Sequence, residues 1–244
     1  MPHVKVERLT KRFPSANGSI TALQDVSVEL APGRIWAIVG DNGAGKTSLL
    51  KILAGVLRAD AGSVYLDGND VTRLGKRLAM AVGLAVSDTP GFYERLSGRH
   101  NLEFFGALYG LTAADVRASI ESLEQALALG DPDRPYQTYS AGLKQRWLLA
   151  RSLLHQPALI LWDEPTRSQD PQHAAKIRAL ISNQLRKPGS TVIMATHHRE
   201  DLATADGIVW LSQGKLRAFG ERQLIDSDAA FISWWRLSQE AGQP

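Results

Sequence analysis

Ile35-Trp36-Ala37-Ile38-Val39-Gly40-Asp41-Asn42-Gly43-Ala44-Gly45-Lys46-Thr47-Ser48 is the stretch that decides how this chain folds. The unbroken apolar run Ile35 to Val39 has the pattern of a strand buried on both faces of a parallel sheet. Gly40 to Thr47 matches G-x-x-x-x-G-K-[ST], and Thr47 to Ala54 reads as a helix, the strand-to-helix context in which that motif cradles phosphates. The glycines let successive backbone N–H groups point inward at the positive end of the helix, which makes an anion-binding nest. Lys46 reaches toward β and γ phosphates, and the Thr47 hydroxyl suits Mg²⁺, a hard cation that takes oxygen ligands. Gly40, Asp41, Asn42, Gly43, Ala44, Gly45, Lys46, Thr47 and Ser48 are therefore the candidate nucleotide-binding residues.

Outward from this loop, Leu159 to Trp162 and Thr191 to Ala195 have buried-strand character. Asp163 and Glu164 follow the first of these, so two carboxylates emerge at the carboxyl end of a strand, where open α/β sheets bind ligands. Beside a phosphate loop, Asp163 is expected to hold Mg²⁺ through water and Glu164 to polarise the attacking water. Between these strands the chain is helical. Val116, Ile120, Leu123 and Leu127 share one face, Thr112 is placed to cap and Asp115 favours the first turn. A further helix is expected from Ser140 through Leu154. The N-terminal part reads as short alternating strands around Val4, Val6 and Leu30, and Ile208 to Phe219 as a late hairpin before a helical tail. In that tail Phe231, Ile232, Trp234 and Trp235 form an apolar cluster expected to pack back on the domain.

Composition narrows the classes. The 244 residues are 44% hydrophobic and 22% charged, an ordinary globular balance, and the formal charge of +3 offers no nucleic-acid arm. There are no cysteines, so disulfides, Cys-ligated zinc and thiol chemistry are excluded. The start of the chain lacks the apolar core of a secretory signal. Every apolar run falls short of the roughly 18 residues of a membrane span, so another chain must supply any path across a membrane.

Tyr139-Ser140-Ala141-Gly142-Leu143-Lys144-Gln145-Arg146 resembles the signature that ABC ATPases carry shortly before their acidic strand. Ser140 and the backbone of Ala141 and Gly142 begin a helix, so they can present N–H groups and positive dipole to a phosphate. The resemblance implies a P-loop NTPase (RecA-like) α/β core with an antiparallel β subdomain and a helical insert. It also implies that Ser140, Ala141 and Gly142 contact the nucleotide of an opposite subunit. Phe13 sits where the family stacks an aromatic on adenine, Ser168-Gln169-Asp170 matches its interface loop, and His197 matches its γ-phosphate histidine. Glu164, His197 and Lys46 are then the catalytic candidates. The family implies ATP with Mg²⁺, a second copy of the chain or a homologous ATPase subunit, a membrane-spanning permease, and a place on the cytoplasmic face of the plasma membrane. Phe92 to Leu96, Asn101-Leu102 and Leu108 to Leu111 resemble the insert of ATPases serving ABC-2 type exporters. The competing readings are a non-transport ABC ATPase and a weakly hydrolysing, ATP-gated regulator.

The sequence departs from the family at several positions. Ser87 stands where a glutamine usually contacts Mg²⁺, and its shorter hydroxyl needs a water to reach the metal. Ala141 replaces the usual first glycine of the signature, which helical torsions tolerate. Gln169 replaces a more usual apolar residue. The expected organisation is one domain over 1–244. Its core spans 1–86 and 140–220, its helical subdomain 87–139 and its tail 221–244.

Overall fold

The structure, a computed structural model, describes residues 3–15, 18–86, 91–186 and 189–241. It begins with two long antiparallel strands, β1 (Val4–Ser15) and β2 (Gly18–Leu30). They are longer than the alternation in the sequence suggests. Pairing continues through register shifts between Val6 and Leu9, Leu9 and Lys11, and Lys11 and Arg12, with Arg8 and Asp25 at positive φ. Each irregularity resets the period-2 pattern, so a continuous strand reads as fragments. β3 (Ile35–Val39) is buried throughout and feeds α1 (Lys46–Leu53). β4 (Ala61–Leu66) and β5 (Asn69–Asp70) complete a sheet of order β2-β1-β4-β5. Asp70 caps the short α2 (Val71–Leu74) by accepting from Thr72 N–H, and α3 (Lys76–Ala81) leads into β6 (Val82–Ala85).

The helical segment holds α4 (Gly98–Leu108), capped by Ser97, and α5 (Ala113–Leu127). Thr112 and Asp115 form a reciprocal capping box at α5, and Val116, Ile120 and Leu127 are buried while Leu123 is partly so. After a 3₁₀ turn at Tyr136–Thr138, Ser140 caps α6 (Ala141–Leu153), where the sequence places a helix. Then follow β7 (Leu159–Asp163), α7 (Pro171–Ala179) with a π-helical extension at Leu180–Leu185, β8 (Thr191–Ala195) and α8 (Arg199–Leu202). The late hairpin is β9 (Gly207–Ser212) with β10 (Lys215–Glu221), and the tail is α9 (Arg222–Asp226) and α10 (Ala229–Ala241).

The second sheet has order β10-β9-β3-β8-β7-β6, parallel except for the edge strand β10. Alternation along β3 divides the interior in two. Ile35, Ala37 and Val39 join Trp147, Trp162 and the apolar faces of the helices, while Trp36 and Ile38 meet α1 and the first sheet. Two fully buried indoles of this core keep polar partners: Trp147 Nε1 donates to Leu129 O at 3.0 Å and Trp162 Nε1 to Ser152 Oγ at 2.8 Å. Phe231 and Trp235 are buried, so the tail cluster packs back on the domain as its composition suggests. Among the described residues no helix is long and apolar enough to cross a membrane. This arrangement brings the carboxyl ends of β3, β7 and β8 to one edge, each followed by a loop that carries polar groups.

Candidate nucleotide site

The phosphate loop is wedged between two neighbouring strands. A Cβ added at Gly40 would lie 2.3 Å from Leu211 O on β9, and one added at Gly45 would lie 2.3 Å from Ala22 O on β2. Both glycines also have positive φ, +155° and +100°, so only glycine fits either place. Inside the turn Lys46 is buried and its Nζ donates to Gly40 O at 2.7 Å and Asp41 O at 3.0 Å. Burial lowers the pKa of this ammonium, and the carboxylates of Glu164, Asp163 and Asp41 oppose that shift.

Thr47 Oγ1 donates to Asp163 Oδ2 at 2.6 Å, which joins the first turn of α1 to the end of β7. These two oxygen groups, both expected from the sequence, match the donor set Mg²⁺ prefers. A different cluster lies alongside: Glu164, His197 and His198 place ligand atoms within 4.8 Å of one another. Its two imidazoles suit softer transition metals, so the Thr47–Asp163 pair is the better fit to Mg²⁺. The third expected metal residue, Ser87, lies outside the described residues.

Glu164 sits at φ +50°, a left-handed conformation rare outside glycine, with its N–H donating to Ala195 O at 2.9 Å. Such strain, about 1–2 kcal/mol, persists where surrounding structure imposes it. Here it turns the carboxylate out of the strand direction. Oε1 lies 2.8 Å from His197 Nδ1, whereas Oε2 is buried and has no hydrogen-bond partner among the described residues. His197 is half exposed, and its hydrogen bond to Glu164 raises the imidazole pKa above 6.5 despite opposing burial. A raised folded-state pKa means that the pairing stabilises the fold fully below the ordinary histidine pKa and is lost as pH rises through the folded value. An NMR titration of His197 should therefore find a midpoint above 6.5 that falls back in Glu164→Gln; equal midpoints would detach the two residues.

The loop that carries His197 is held by a residue absent from the sequence-based candidates. Asp201 on α8 is fully buried, and its Oδ2 accepts from Thr166 Oγ1 at 2.6 Å and from Thr196 Oγ1 at 3.0 Å. Its Oδ1 faces Arg178 Nη1 of α7 at 3.2 Å. One carboxylate thus fastens the segment after Glu164 to the segment before His197. No motif in the sequence marks it, because an aspartate in a polar run such as His198 to Asp201 reads as solvated.

Asn42, Gly43, Gly45, Lys46, Thr47 and Ser48 line a cavity of about 840 Å³ that also contains Asp163, Glu164, Arg167, Ser168, His197 and His198. Ala44 is buried beneath the loop. Ile20 forms part of the same wall, and Phe13 is its cross-strand partner, so the structure brings Phe13 to the rim of this cavity. Ser140, Ala141 and Gly142 are not among the described lining residues of that cavity. Ala141 instead faces an adjoining one of about 670 Å³ that shares Thr47, Asp163, Glu164, Arg167 and Ser168. Ala141 opens α6 with helical torsions, the condition under which alanine substitutes for glycine there. Gln169 Nε2 donates to Gly142 O at 2.8 Å, and Gln145 Nε2 reaches Glu164 O at 3.4 Å. Gln169, unusual in sequence, is therefore a strap between the Ser168–Asp170 segment and the start of α6.

A glycine-rich loop between a buried strand and a helix, with a Thr–Asp pair and a glutamate at the next strand end, defines a P-loop nucleoside triphosphatase. The model of the ABC transporter family matches residues 23–167. The ATP-binding protein NatA of Bacillus subtilis (strain 168) is 31% identical over 209 residues, covering 85% of each chain. The daunorubicin resistance ATP-binding protein DrrA3 of Streptomyces coeruleorubidus is 32% identical over 246 residues, 98% of this chain and 75% of that one. A dimeric bacterial ABC transporter cassette superposes with a TM-score of 0.82 at 23% identity, over 90% of this chain and 98% of that one. The chain belongs to the ABC transporter family, as one of its ATP-binding, ATP-hydrolysing subunits.

Proposed function

We propose that this ATPase works as a dimer of two such chains or of one chain and a homologous subunit, closing on two ATP molecules to drive export through a separate membrane-spanning subunit. The reading is supported by the fold shared with a dimeric cassette and by the 840 Å³ cavity, which holds the phosphate loop, the acidic strand end and His197, while Ser140 and Gly142 are not among its described lining residues and Ala141 lines only the adjoining cavity. A second copy would supply those signature residues to the open side of the cavity, adding N–H groups and helix dipole to the γ-phosphate. Lys46 and the loop N–H groups hold the β and γ phosphates, and Phe13 covers the adenine from the rim. Thr47 and Asp163 would hold Mg²⁺, which neutralises phosphate charge when bound. Glu164 orients the attacking water while His197 holds its Oε1. Nucleotide binding shifts the pair to the closed form and hydrolysis reopens it.

The export reading draws on a daunorubicin resistance relative and on the insert, where Phe104 and Leu108 of α4 and Tyr93 just before it are exposed apolar groups. We place the chain on the cytoplasmic face of the plasma membrane, with 87–139 as the subdomain that meets the membrane partner. Ser140→Arg tests the composite site. ATP affinity per chain should stay within about threefold while turnover falls roughly 100-fold and the chain sediments as a monomer with ATP. Undiminished turnover in Ser140→Arg would sink the dimeric reading, and fractionation away from membranes in cells holding the permease would sink the transport reading.

A further inference from the structure

An aspartate at the second position of a loop that binds polyphosphate poses an electrostatic problem. Like charges a few ångströms apart repel strongly where water is partly excluded. Asp41 is exposed and close enough to Lys46 for its charge to act on that ammonium. Yet it is not among the described lining residues of the phosphate cavity, although Asn42, Gly43 and Gly45 to Ser48 are. Its carboxylate is engaged elsewhere: Trp234 Nε1 on α10 donates to Asp41 Oδ1 at 2.9 Å, across 193 residues of sequence.

The indole that makes this bond is held on several sides. Its ring lies 5.3 Å from Trp210, 5.6 Å from Phe231 and 5.6 Å from Trp235. Trp210 is on β9 and pairs in register with Val39, the residue immediately before Gly40. Phe231 and Trp235 are buried. Trp210 of β9 thus ties Trp234 to the strand pair that launches the phosphate loop, and the buried Phe231 and Trp235 anchor the same turn of α10 on the domain, so the donor does not swing with a free tail.

We propose that Trp234 is a positioning residue of the nucleotide site, holding the Asp41 carboxylate out of the phosphate cradle so that the loop N–H groups receive the nucleotide without a competing anion. The inference rests on the reading of residues 40–47 as the nucleotide phosphate site. A phenyl ring at 234 removes the N–H together with part of the ring, so the bond is separated from packing by comparing the same substitution with and without the Asp41 charge.

Trp234→Phe in the full-length chain is the test, with ATP affinity, KM and kcat measured at low and high salt, and again in an Asp41→Asn background. The released carboxylate should raise Kd and KM for ATP by roughly five- to tenfold at low ionic strength, with kcat within about twofold. High salt should shrink the effect, and in Asp41→Asn the same tryptophan substitution should change KM by less than about twofold. An unchanged KM in Trp234→Phe overturns the proposal. A rise of equal size in the Asp41→Asn background also overturns it, because the tryptophan would then act through packing. If the phenylalanine variant does not fold, Trp234→Leu, which also lacks a donor, is read by the same criteria in both backgrounds. Failure of the unaltered chain to bind ATP would instead refute the nucleotide-site reading itself.

Discussion

Replacing Glu164 by glutamine is expected to lower ATP turnover by about 10²–10⁴-fold while leaving ATP bound. The geometry says why so small a change has so large an effect. Glu164 Oε1 is anchored on His197 at 2.8 Å, and its Oε2 has no hydrogen-bond partner among the described residues. An amide at this position puts a donor where one of these acceptors stood, so it cannot both hold His197 and accept a proton from water. Lys46, Thr47 and Asp163 are untouched, and nucleotide binding survives with them. Phosphate release and ATP retention measured on the same samples decide the matter. Equal turnover in both proteins would remove Glu164 from the reaction and favour a subunit that closes on ATP without using this carboxylate.

Asp201→Ala should destabilise the fold by about 3–5 kcal/mol, the usual consequence of deleting one partner of a buried charge pair. The substitution leaves Arg178 without its counterion and takes the common acceptor from the Thr166 and Thr196 hydroxyls. At roughly 2–4 °C per kcal/mol for a chain of this size, the thermal midpoint should fall by about 6–20 °C. Asp201→Asn keeps an acceptor and the volume, and its loss should be clearly smaller. Chemical denaturation of both variants checks the ordering, and an alanine variant within about 1 kcal/mol of the wild type would show that Asp201 does not fasten the Glu164 and His197 segments.

The parts of the site that were legible in the sequence are those made by near neighbours. Gly40 to Thr47 declares itself because loop, lysine and hydroxyl lie within a few residues of a buried strand, and Asp163 and Glu164 because they end another. Thr112 as a cap, Asp115 in the first turn and a helix starting at Ser140 are legible for the same reason. What the sequence hides is long-range. Gln169 reaches Gly142 across 27 positions, Thr166 reaches Asp201 across 35, and Trp234 reaches Asp41 across 193. Polar side chains with such partners look the same in sequence as solvated ones. The N-terminal strands run longer than their sequence pattern because bulges near Arg8 and Asp25 interrupt the alternation that marks a strand.

The wedge around the phosphate loop also says where this chain has latitude to drift. Leu211 O and Ala22 O are backbone atoms, so no change of rotamer or neighbouring side chain makes room for a methyl group at Gly40 or Gly45. The recognition surface is written in main-chain N–H groups, so its shape is guarded by the glycines. In a saturation-mutagenesis map columns 40 and 45 should tolerate no replacement, whereas replacements at 41 should divide by charge, neutral residues being accepted even without the indole N–H.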